Sequence, residues 1–448
     1  MVEHRLSRSS QRQLLRGRQL QVQQLVQQFR HSRNWLCGER VSPRNLSDLY
    51  LRAGVKSPCC SNARAMPGRR PVPIRSLALA LSVSFALHAR PRALGAQQVT
   101  VHPTAANLRS VGAERTVGIR DTTSGDADLD RESRRLRRAV RIDSVGDQDG
   151  DEATVIGIIN DIAVDSKGRV FVLDMAFQSI RVFAANGKPE FVISQKGSGP
   201  LDLRFGVAIW AEDDGVVAVT DVVLGTKYLA GESKATTRLL RTVPSRGNPT
   251  GACGSKGILV TFSSTADKTV SRIGPDGREL QRFGEGYDAS TPLVRMIMSE
   301  GTVGCMRDGS TISALSKLPF VVSHGPNGVV RWRLRLTDFV VGRELEELDA
   351  KSRRSIGLDP QNPTSSFTFR IAPFGERHAV VQVGLRTARS LRERVLWARL
   401  DTYLVDVANG RSVFVSSTLP MLDELRGTEL FGFDNDPYPR VLRLRLSP

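Results

Sequence analysis

Cysteine, histidine and long apolar runs are scarce in this chain of 448 residues, which contains five cysteines and six histidines. The motifs Gly-x-Ser-x-Gly, His-Glu-x-x-His and Gly-x-x-x-x-Gly-Lys-Ser/Thr are absent. The sequence therefore lacks the usual marks of a serine hydrolase, a zinc protease or a P-loop nucleotidase. The apolar stretch 76–89 has 14 residues, whereas a membrane span needs about 20. We predict no transmembrane helix.

Residues 66–96 have the layout of a secretory signal peptide. Arg69, Arg70 and Arg75 precede the apolar stretch 76–89, and the small residues Gly95 and Ala96 end the segment. Because such a signal must be presented first, residues 1–65 are predicted to be a mis-called upstream extension, with translation starting at Met66. The alternative takes 12–29 as a basic amphipathic helix that contacts a membrane or nucleic acid.

The positive charge is concentrated in the part of the chain that export would remove. The whole chain carries a net charge of +18, but residues 1–96 hold 17 basic and 3 acidic side chains. Residues 97–448 therefore hold 47 basic and 43 acidic side chains, a net charge of +4. This balance removes the charge argument for nucleic-acid binding. We predict a secreted or periplasmic protein of the bacterial envelope that binds no nucleic acid.

A repeated unit of short strands begins after a polar stretch, 97–137, which we predict to be a flexible lead-in. Residues 160–194 form four alternating segments separated by glycine turns, which is hairpin chemistry. The segment AVDSKGRVFVLD returns as WAEDDGVVAVTD, so that Asp174 and Asp221 are 47 residues apart. A period of about 40–50 residues with four strands per unit is typical of propeller blades. We expect both aspartates to accept hydrogen bonds from loop amides.

The rhythm predicts an all-β fold, a six-bladed β-propeller over 138–448. The predicted blades cover 155–196, 197–246, 247–288, 289–337, 338–417 and 418–448. The last is one strand short, and the segment AVRIDSV at 139–145 is left over before the first blade. Pairing the two would close the ring and protect an exposed sheet edge.

Three segments of the first two units carry a family resemblance: IAVDSKGRVFVLD, IRVFAANGK and KGSGPLDLRFGVAI. They resemble the NHL-type repeat of six-bladed propeller proteins that bacteria export. The resemblance is good over 145–225 and rests on strand and turn rhythm beyond 337. It implies the fold and says little about activity, because propellers serve as binding proteins, scaffolds, lyases and hydrolases.

A further resemblance, to propeller lactonases and peptide-amidating lyases, implies a divalent metal held in the central channel. The candidate ligands near the starts of innermost strands are Asn160, Asp161 and Glu300. Three donors in two blades are too few for a complete calcium site, since calcium binds six to eight oxygens. We expect no cofactor, and a divalent metal only if the protein is such a lyase or lactonase.

Two cysteines remain in the exported part of the chain. Cys253 and Cys305 each precede a hairpin glycine, Gly257 and Gly309, by four residues. Equivalent positions on neighbouring innermost strands are candidates for a disulfide in an oxidising compartment, provided that the Cα atoms lie within about 7 Å. The alternative is a pair of buried thiols.

The long fifth unit contains two features that the other units lack. Residues 342–357 place acidic side chains first and basic ones last, which predicts a short helical insertion that ends at Gly357. A basic segment follows, which we predict to attract an anionic ligand; its arginines are Arg386, Arg389, Arg392 and Arg394. The alternative for this segment is a solvated strand face.

Together these features favour an exported binding or scaffold protein that is not an enzyme. Its contacts would come from loops on one face of the propeller, with the fifth-blade insertion and its arginines as the contact surface. The partner would be a protein, a glycan or a small anionic ligand at the cell envelope. A metal-dependent lyase or lactonase with its site in the channel is the alternative function.

Overall fold

The computed structural model describes residues 99–101, 113–150, 153–212, 215–245, 247–255, 257–265, 267–288, 292–342, 344–348, 354–358, 363–393 and 395–447. Over these ranges the protein is all-β, with six blade sheets, one additional three-stranded sheet and three short helices. The predicted extension 1–65 and signal peptide 66–96 lie outside the described residues. No helix in the described ranges is long and apolar enough to cross a membrane.

The first three blades are sheets of four strands each, in chain order from the channel outwards. The first blade consists of Ile159–Val164, Val170–Asp174, Ser179–Phe183 and Pro189–Val192. The second consists of Gly206–Ala211, Val217–Asp221, Gly225–Ala230 and Arg238–Val243. The third consists of Pro249–Ser255, Ile258–Ser263, Lys268–Ile273 and Glu279–Glu285.

The last three blades follow the same order with additions from the N-terminal side. The fourth consists of Gly301–Cys305, Thr311–Leu315, Phe320–His324 and Val330–Leu336, with Ala113–Val117 as a fifth, outermost strand. The fifth consists of Ser365–Phe374, His378–Arg386, Arg399–Asp406 and Ser412–Ser416. The sixth consists of Met421–Arg426, Glu429–Asp434, Arg440–Arg445 and, from before the first blade, Val140–Val145.

The blades form a closed ring. Each innermost strand contacts the innermost strand of the next blade, and Met421–Arg426 of the sixth blade contacts Ile159–Val164 of the first. Val140–Val145 pairs antiparallel with Arg440–Arg445. A strand that precedes the first blade in sequence thus completes the sheet of the last blade. This is the arrangement expected from the spare segment at 139–145.

The core lies between adjacent blades rather than within one layer. Middle strands such as Val170–Asp174 and Val217–Asp221 are buried at every position, because both of their faces are covered by neighbouring blades. Trp332 is 1% exposed, and its indole N–H donates to the carbonyl of Val407 in the next blade at 2.9 Å. Outer strands such as Arg238–Val243 alternate between exposed and half-buried positions.

The flexible lead-in predicted over 97–137 is wrong at 99–101, which form a strand, and from residue 113 onwards. Ala113–Val117 pairs in parallel with Val330–Leu336, and Ala127–Arg137 forms a helix that contacts the fifth blade. The Asp126 carboxylate caps this helix by accepting from the amides of Asp128 and Leu129. Leu129 and Leu136 are fully buried. Two buried leucines among many charges give too weak an apolar period to be recognised in the sequence.

The helix predicted over 342–357 is also wrong. The structure has two antiparallel strands there, Glu344–Leu348 and Arg354–Leu358, and Val99–Val101 pairs with the first of them. The order of acidic and then basic residues suited a helix dipole. The backbone hydrogen bonds, however, join the two strands to each other and join the first of them to Val99–Val101, which is distant in sequence. The short helix of the fifth blade is Ala388–Glu393, and a third helix, Pro292–Met298, precedes the fourth blade.

Candidate functional site

The two faces of the propeller carry different connections. In each antiparallel blade, the first turn and the third turn lie on one face, which we call the turn face. The second loop and the connection to the next blade lie on the opposite face, which we call the long-loop face. The longest connection between blades, after Leu336, leads into the fifth blade, and the second loop of that blade, after Arg386, is longer than the second loop of any other blade; both lie on the long-loop face.

Buried carboxylates hold the shorter connections of the long-loop face. Asp221 accepts from the amides of Arg204 and Phe205 at 2.6 and 2.7 Å, and from those of Val223 and Leu224 at 2.8 and 2.9 Å. One carboxylate thus binds both the incoming connection and the loop of its own blade. Asp174 plays the same part in the first blade, as expected, and accepts from Gly157, Ile158, Ala176 and Phe177.

An ion cluster lies on the innermost strands of three consecutive blades. The guanidinium of Arg370 in the fifth blade bridges Asp423 in the sixth and Asp161 in the first, at 2.6 Å for Asp161. The other Asp161 oxygen accepts from the amide of Ile209 in the second blade at 2.9 Å. Burial raises the pKa of the Asp161 carboxyl, and the positive charge of Arg370 opposes that rise.

Two of the three predicted channel ligands, Asn160 and Asp161, are occupied by contacts between blades. The Asn160 amide donates to the carbonyls of Gly206 and Val207 at 3.3 and 3.0 Å. Both Asp161 oxygens are engaged, as described above, and Glu300 is half-buried at the start of the fourth blade, three blades away. Within the described part of the chain, no three His, Cys, Asp or Glu side chains form a group that could hold a metal ion. As arranged, these donors do not fit a divalent metal.

The strands of the fifth blade extend farther towards the long-loop face than those of the first. The pair Thr368 and Val383 has the register of Ile159 and Asp174, because in both blades it directly precedes a bulge in the innermost strand. The fifth blade continues beyond this level to the pair Ser365 and Arg386. The ends of these two strands, 365–367 and 384–386, therefore project beside the channel mouth, and we call this projection the rim.

The rim carries a half-buried aromatic group, the fifth-blade platform, which consists of Phe367, Phe369, Arg386 and Trp397. The rings of Phe367 and Phe369 have centroids 6.1 Å apart, and Trp397 lies 5.1 Å from Phe369. The Arg386 guanidinium lies 4.4 Å from the Phe367 centroid and 5.4 Å from that of Phe369. Such stacking of a cation on aromatic rings is favourable by about 0.5–1 kcal/mol at a surface site.

The aromatic rings of the platform pack against the hydrophobic core. Phe369 and Trp397 pack against the apolar cluster that joins the fifth, sixth and first blades. A Cβ atom at Gly384 would lie 2.5 Å from the Phe369 ring, so a glycine is needed there for the ring to pack. The Arg386 Nε donates to the carbonyl of Leu396 at 3.2 Å. The platform is therefore a preformed surface.

The structure divides the predicted arginine patch. Arg386 belongs to the platform, and Arg389 is exposed on the helix Ala388–Glu393 rather than on a strand. The side chain of Arg392 and the whole of Arg394 lie outside the described residues. Sequence reasoning missed Phe367 and Phe369, although their spacing of two within SSFTFRIAPF places both on one face of a strand.

A disulfide joins Cys253 to Cys305, the pair singled out in the sequence. The Cα atoms lie 5.7 Å apart, and the bond links the innermost strands of the third and fourth blades. It lies on the opposite side of the ring from the Arg370 ion cluster. The innermost strands are thus joined by a disulfide on one side of the ring and by an ion cluster on the other.

No protein-family model and no curated protein sequence matches the chain. Solved structures are similar to it. A protein described as exported, from Bacteroides fragilis, is 12% identical over 75% of this chain and all of its own, with a TM-score of 0.45. A member of the DUF4221 family from Bacteroides vulgatus is 9% identical over 69% of this chain and 98% of its own, with a TM-score of 0.45.

The virginiamycin B lyase of Staphylococcus aureus is also similar. It is 12% identical over 64% of this chain and 95% of its own, with a TM-score of 0.36. At these identities and TM-scores, none of the three similarities indicates what this chain binds or does. Functional inference depends on the site itself.

Proposed function

We propose that the protein is an exported six-bladed propeller with NHL-like blades that binds a ligand or a protein partner through its long-loop face, without catalysis. The fifth-blade platform is the contact surface. The observation that carries the proposal is the half-exposed stack of two phenylalanines, a tryptophan and an arginine beside the channel mouth. Aromatic and arginine side chains are the residues that dominate binding energy at protein surfaces.

The distribution of exposed apolar side chains supports the choice of face. Among the described residues, four large apolar side chains are exposed on the long-loop face: Phe177, Val223, Val340 and Val341. The turn face exposes one, Val329. Val340 is joined to Ser366 by two hydrogen bonds, so it lies next to the platform. Val340 and Val341 therefore add exposed apolar surface beside the platform, and an exposed apolar patch indicates an interaction site.

Site-specific photo-crosslinking in intact cells tests for a protein partner. A photo-reactive residue at position 341, on the long-loop face, is expected to form adducts with an envelope protein. The matched control is position 329, because Val329 is exposed on the turn face. Equal adduct formation at both positions would contradict the choice of face.

Trp397 fluorescence tests for a small ligand, with acidic and neutral oligosaccharides as probes. Phe367→Ala and Arg386→Ala are expected to abolish the spectral response. Arg278→Ala, whose side chain is 87% exposed on the turn face, is expected to leave it unchanged. A stoichiometric divalent metal that is lost in Asp161→Asn would instead favour the lyase or lactonase alternative.

The proposed export has its own test. Cells that express the full reading frame are fractionated, and the N-terminus of the accumulated protein is determined by mass spectrometry. We expect a terminus near Gln97 in the envelope or the medium. A cytoplasmic protein that begins at Met1 would overturn the export part of the proposal and would direct attention to residues 12–29.

A further inference from the structure

The outer edge of the fourth blade is covered by a strand from a distant part of the chain. Ala113–Val117 pairs in parallel with Val330–Leu336. In that register Glu114 lies opposite Arg333, and the two side chains form an ion pair. The Arg333 guanidinium also lies 4.6 Å from the centroid of the Phe320 ring, on the third strand of the blade. An outer-strand arginine that is stacked on an aromatic ring is thus paired with an acidic residue of an added strand.

The outermost strand of the second blade, Arg238–Val243, also carries a stacked arginine, but no further strand in the described residues pairs with its edge. The Arg241 guanidinium lies 3.9 Å from the centroid of the Tyr228 ring on the third strand, and it donates to the carbonyl of Pro275. Neither Arg241 nor the exposed Arg238 forms an ion pair with any described residue. We propose that this edge binds an extended acidic segment of a partner protein, which joins the second blade as a fifth strand.

A bulge in this strand places its two arginines on one face. Arg241 lies opposite Tyr228 of the third strand, and Arg238 lies opposite Ala230. Between the two arginines, Leu240 is the extra residue of the bulge. Tyr228 and Ala230 are two residues apart in a strand and therefore point to the same face. Because directly opposite residues of a sheet share a face, both arginines lie on that face, where an acidic side chain of an added strand would find two cations.

The edge offers backbone groups and apolar surface as well as charge. An outer strand presents a row of N–H and C=O groups that have no partner within its own sheet. The side chain of Leu240, at the bulge, is 46% exposed. A peptide strand that adds to such an edge gains affinity from main-chain hydrogen bonds and specificity from its side chains. These features favour an extended acidic peptide segment over a free anion.

Among the described residues, the other blade edges are covered or lack this uniform positive charge. The helix Ala127–Arg137 contacts the outer strand of the fifth blade. The outer strand of the first blade begins with Pro189, which has no amide hydrogen to donate. The outer strands of the third and sixth blades hold charges of both signs. The edge of the second blade is therefore best suited to an acidic strand. It lies on the circumference of the propeller, so the proposal does not depend on the function proposed for the long-loop face.

Fluorescence anisotropy tests the proposal with protein purified from cells that express the full reading frame. The probe is a labelled peptide of alternating valine and glutamate, and a peptide of alternating valine and lysine is the charge control. We expect saturable binding of the glutamate peptide alone. Arg238→Glu replaces attraction by repulsion and should raise the dissociation constant roughly tenfold. The matched control is Arg282→Glu, which makes the same change of charge on the outer strand of the third blade. No binding of the glutamate peptide, equal binding of the two peptides, or equal weakening in both variants would overturn the proposal.

Hydrogen exchange distinguishes strand addition from attraction between charges alone. The glutamate peptide is expected to slow exchange of the backbone amides within Arg238–Val243, because an added strand supplies acceptors for them. The amides of Glu279–Glu285, the outer strand of the third blade, are the internal control and should exchange as before. Peptide binding that leaves exchange within Arg238–Val243 unchanged would contradict strand addition. Slower exchange within Glu279–Glu285 instead would place the peptide on a different blade and exclude this edge.

Discussion

The turn face and the long-loop face of the propeller are built from the same strands but are stabilised differently. On the turn face, each connection is local: Asn186 accepts from the amide of Lys188, and Asp308 from that of Ser310, within one short turn. On the long-loop face, Asp221 joins the amides of Arg204 and Phe205 to those of Val223 and Leu224, about 19 residues further along the chain. On one face the turn amides are therefore satisfied within each turn, whereas on the other they are satisfied by a carboxylate that joins distant segments.

The difference explains where a binding surface can form. A local turn has no spare length, so its polar side chains serve its own hydrogen bonds or pair with a turn of the next blade, as Arg307 does with Glu376. The long-loop face accepts insertions, because its connections are held at their ends by the strands, and in the first two blades the short loops are also held by buried carboxylates. The fifth blade uses this freedom: its strands continue past the level of Val383, where the first blade has Asp174. Function is commonly carried by loops on a rigid scaffold of this kind.

The largest effect is expected for Asp221→Ala. The change leaves four amides without their acceptor in a fully buried position. We expect a loss of about 4 kcal/mol in the free energy of unfolding, measured by urea denaturation. The matched control is Ser263→Ala, at the same register of the third blade, where the hydroxyl oxygen accepts from Asn248 and Thr265 over 3.3 and 3.5 Å. Equal losses in both variants would contradict the role of the carboxylate.

The turn face is expected to be the acid-sensitive one, through His324. Burial lowers the pKa of this imidazole to about 4, from 6.5 in an exposed histidine. The unfolded chain therefore binds the proton first, so the stability contributed by neutral His324 is complete above pH 6.5 and is lost as the pH falls towards 4. The loss is roughly 2–3 kcal/mol.

The control for this prediction is His324→Phe, which keeps a ring against Phe283. Its free energy of unfolding should change less between neutral and acidic pH than that of the wild type. If the two proteins have parallel stability profiles over this range, His324 is not the sensor.

A smaller effect is expected at a turn-face glycine. Gly277 has a φ of 78°, and an added Cβ would meet no atom within 4 Å, so its substitution tests backbone strain alone. Gly277→Ala should destabilise the protein by about 1 kcal/mol, read from the thermal midpoint. Gly277→Asn should cost less, since asparagine tolerates this conformation. A larger loss for asparagine would contradict the strain argument.

The smallest effect on stability is expected at the platform. Arg386→Ala removes a cation stacked on two rings and should cost about 0.5 kcal/mol, near the limit of a denaturation measurement. The change should nevertheless be visible in the emission of Trp397, because the stack reaches that ring through Phe369. Arg386→Lys keeps the charge and loses the planar stack. An unchanged emission in both variants would show that the stack is not formed in solution.

Local patterns predicted much of the fold and little of the site. The glycine turns and the 47-residue spacing of Asp174 and Asp221 were sufficient for six blades, because each blade repeats the same hairpin chemistry. The strand pair Glu344–Leu348 and Arg354–Leu358 was mistaken for a helix. Its first strand also pairs with Val99–Val101, and a pairing with so distant a segment cannot be recognised from the local sequence. Of the platform, Arg386 was anticipated from the density of arginines, whereas the rings beside it were not.

The sequence by itself determined the strand rhythm, the hairpin turns and the closing strand, because all of these follow from local hydrogen bonding and from a repeated register. It offered Cys253 and Cys305 as a pair but left open whether they are bonded, since that depends on how two blades pack. Only the tertiary structure decided which side chains face one another across the ring. It brought Arg370 to Asp161 and Asp423, and it placed Phe367, Phe369, Arg386 and Trp397 on one rim. Those contacts depend on how far each strand extends and on how the blades pack, and neither is encoded within one blade.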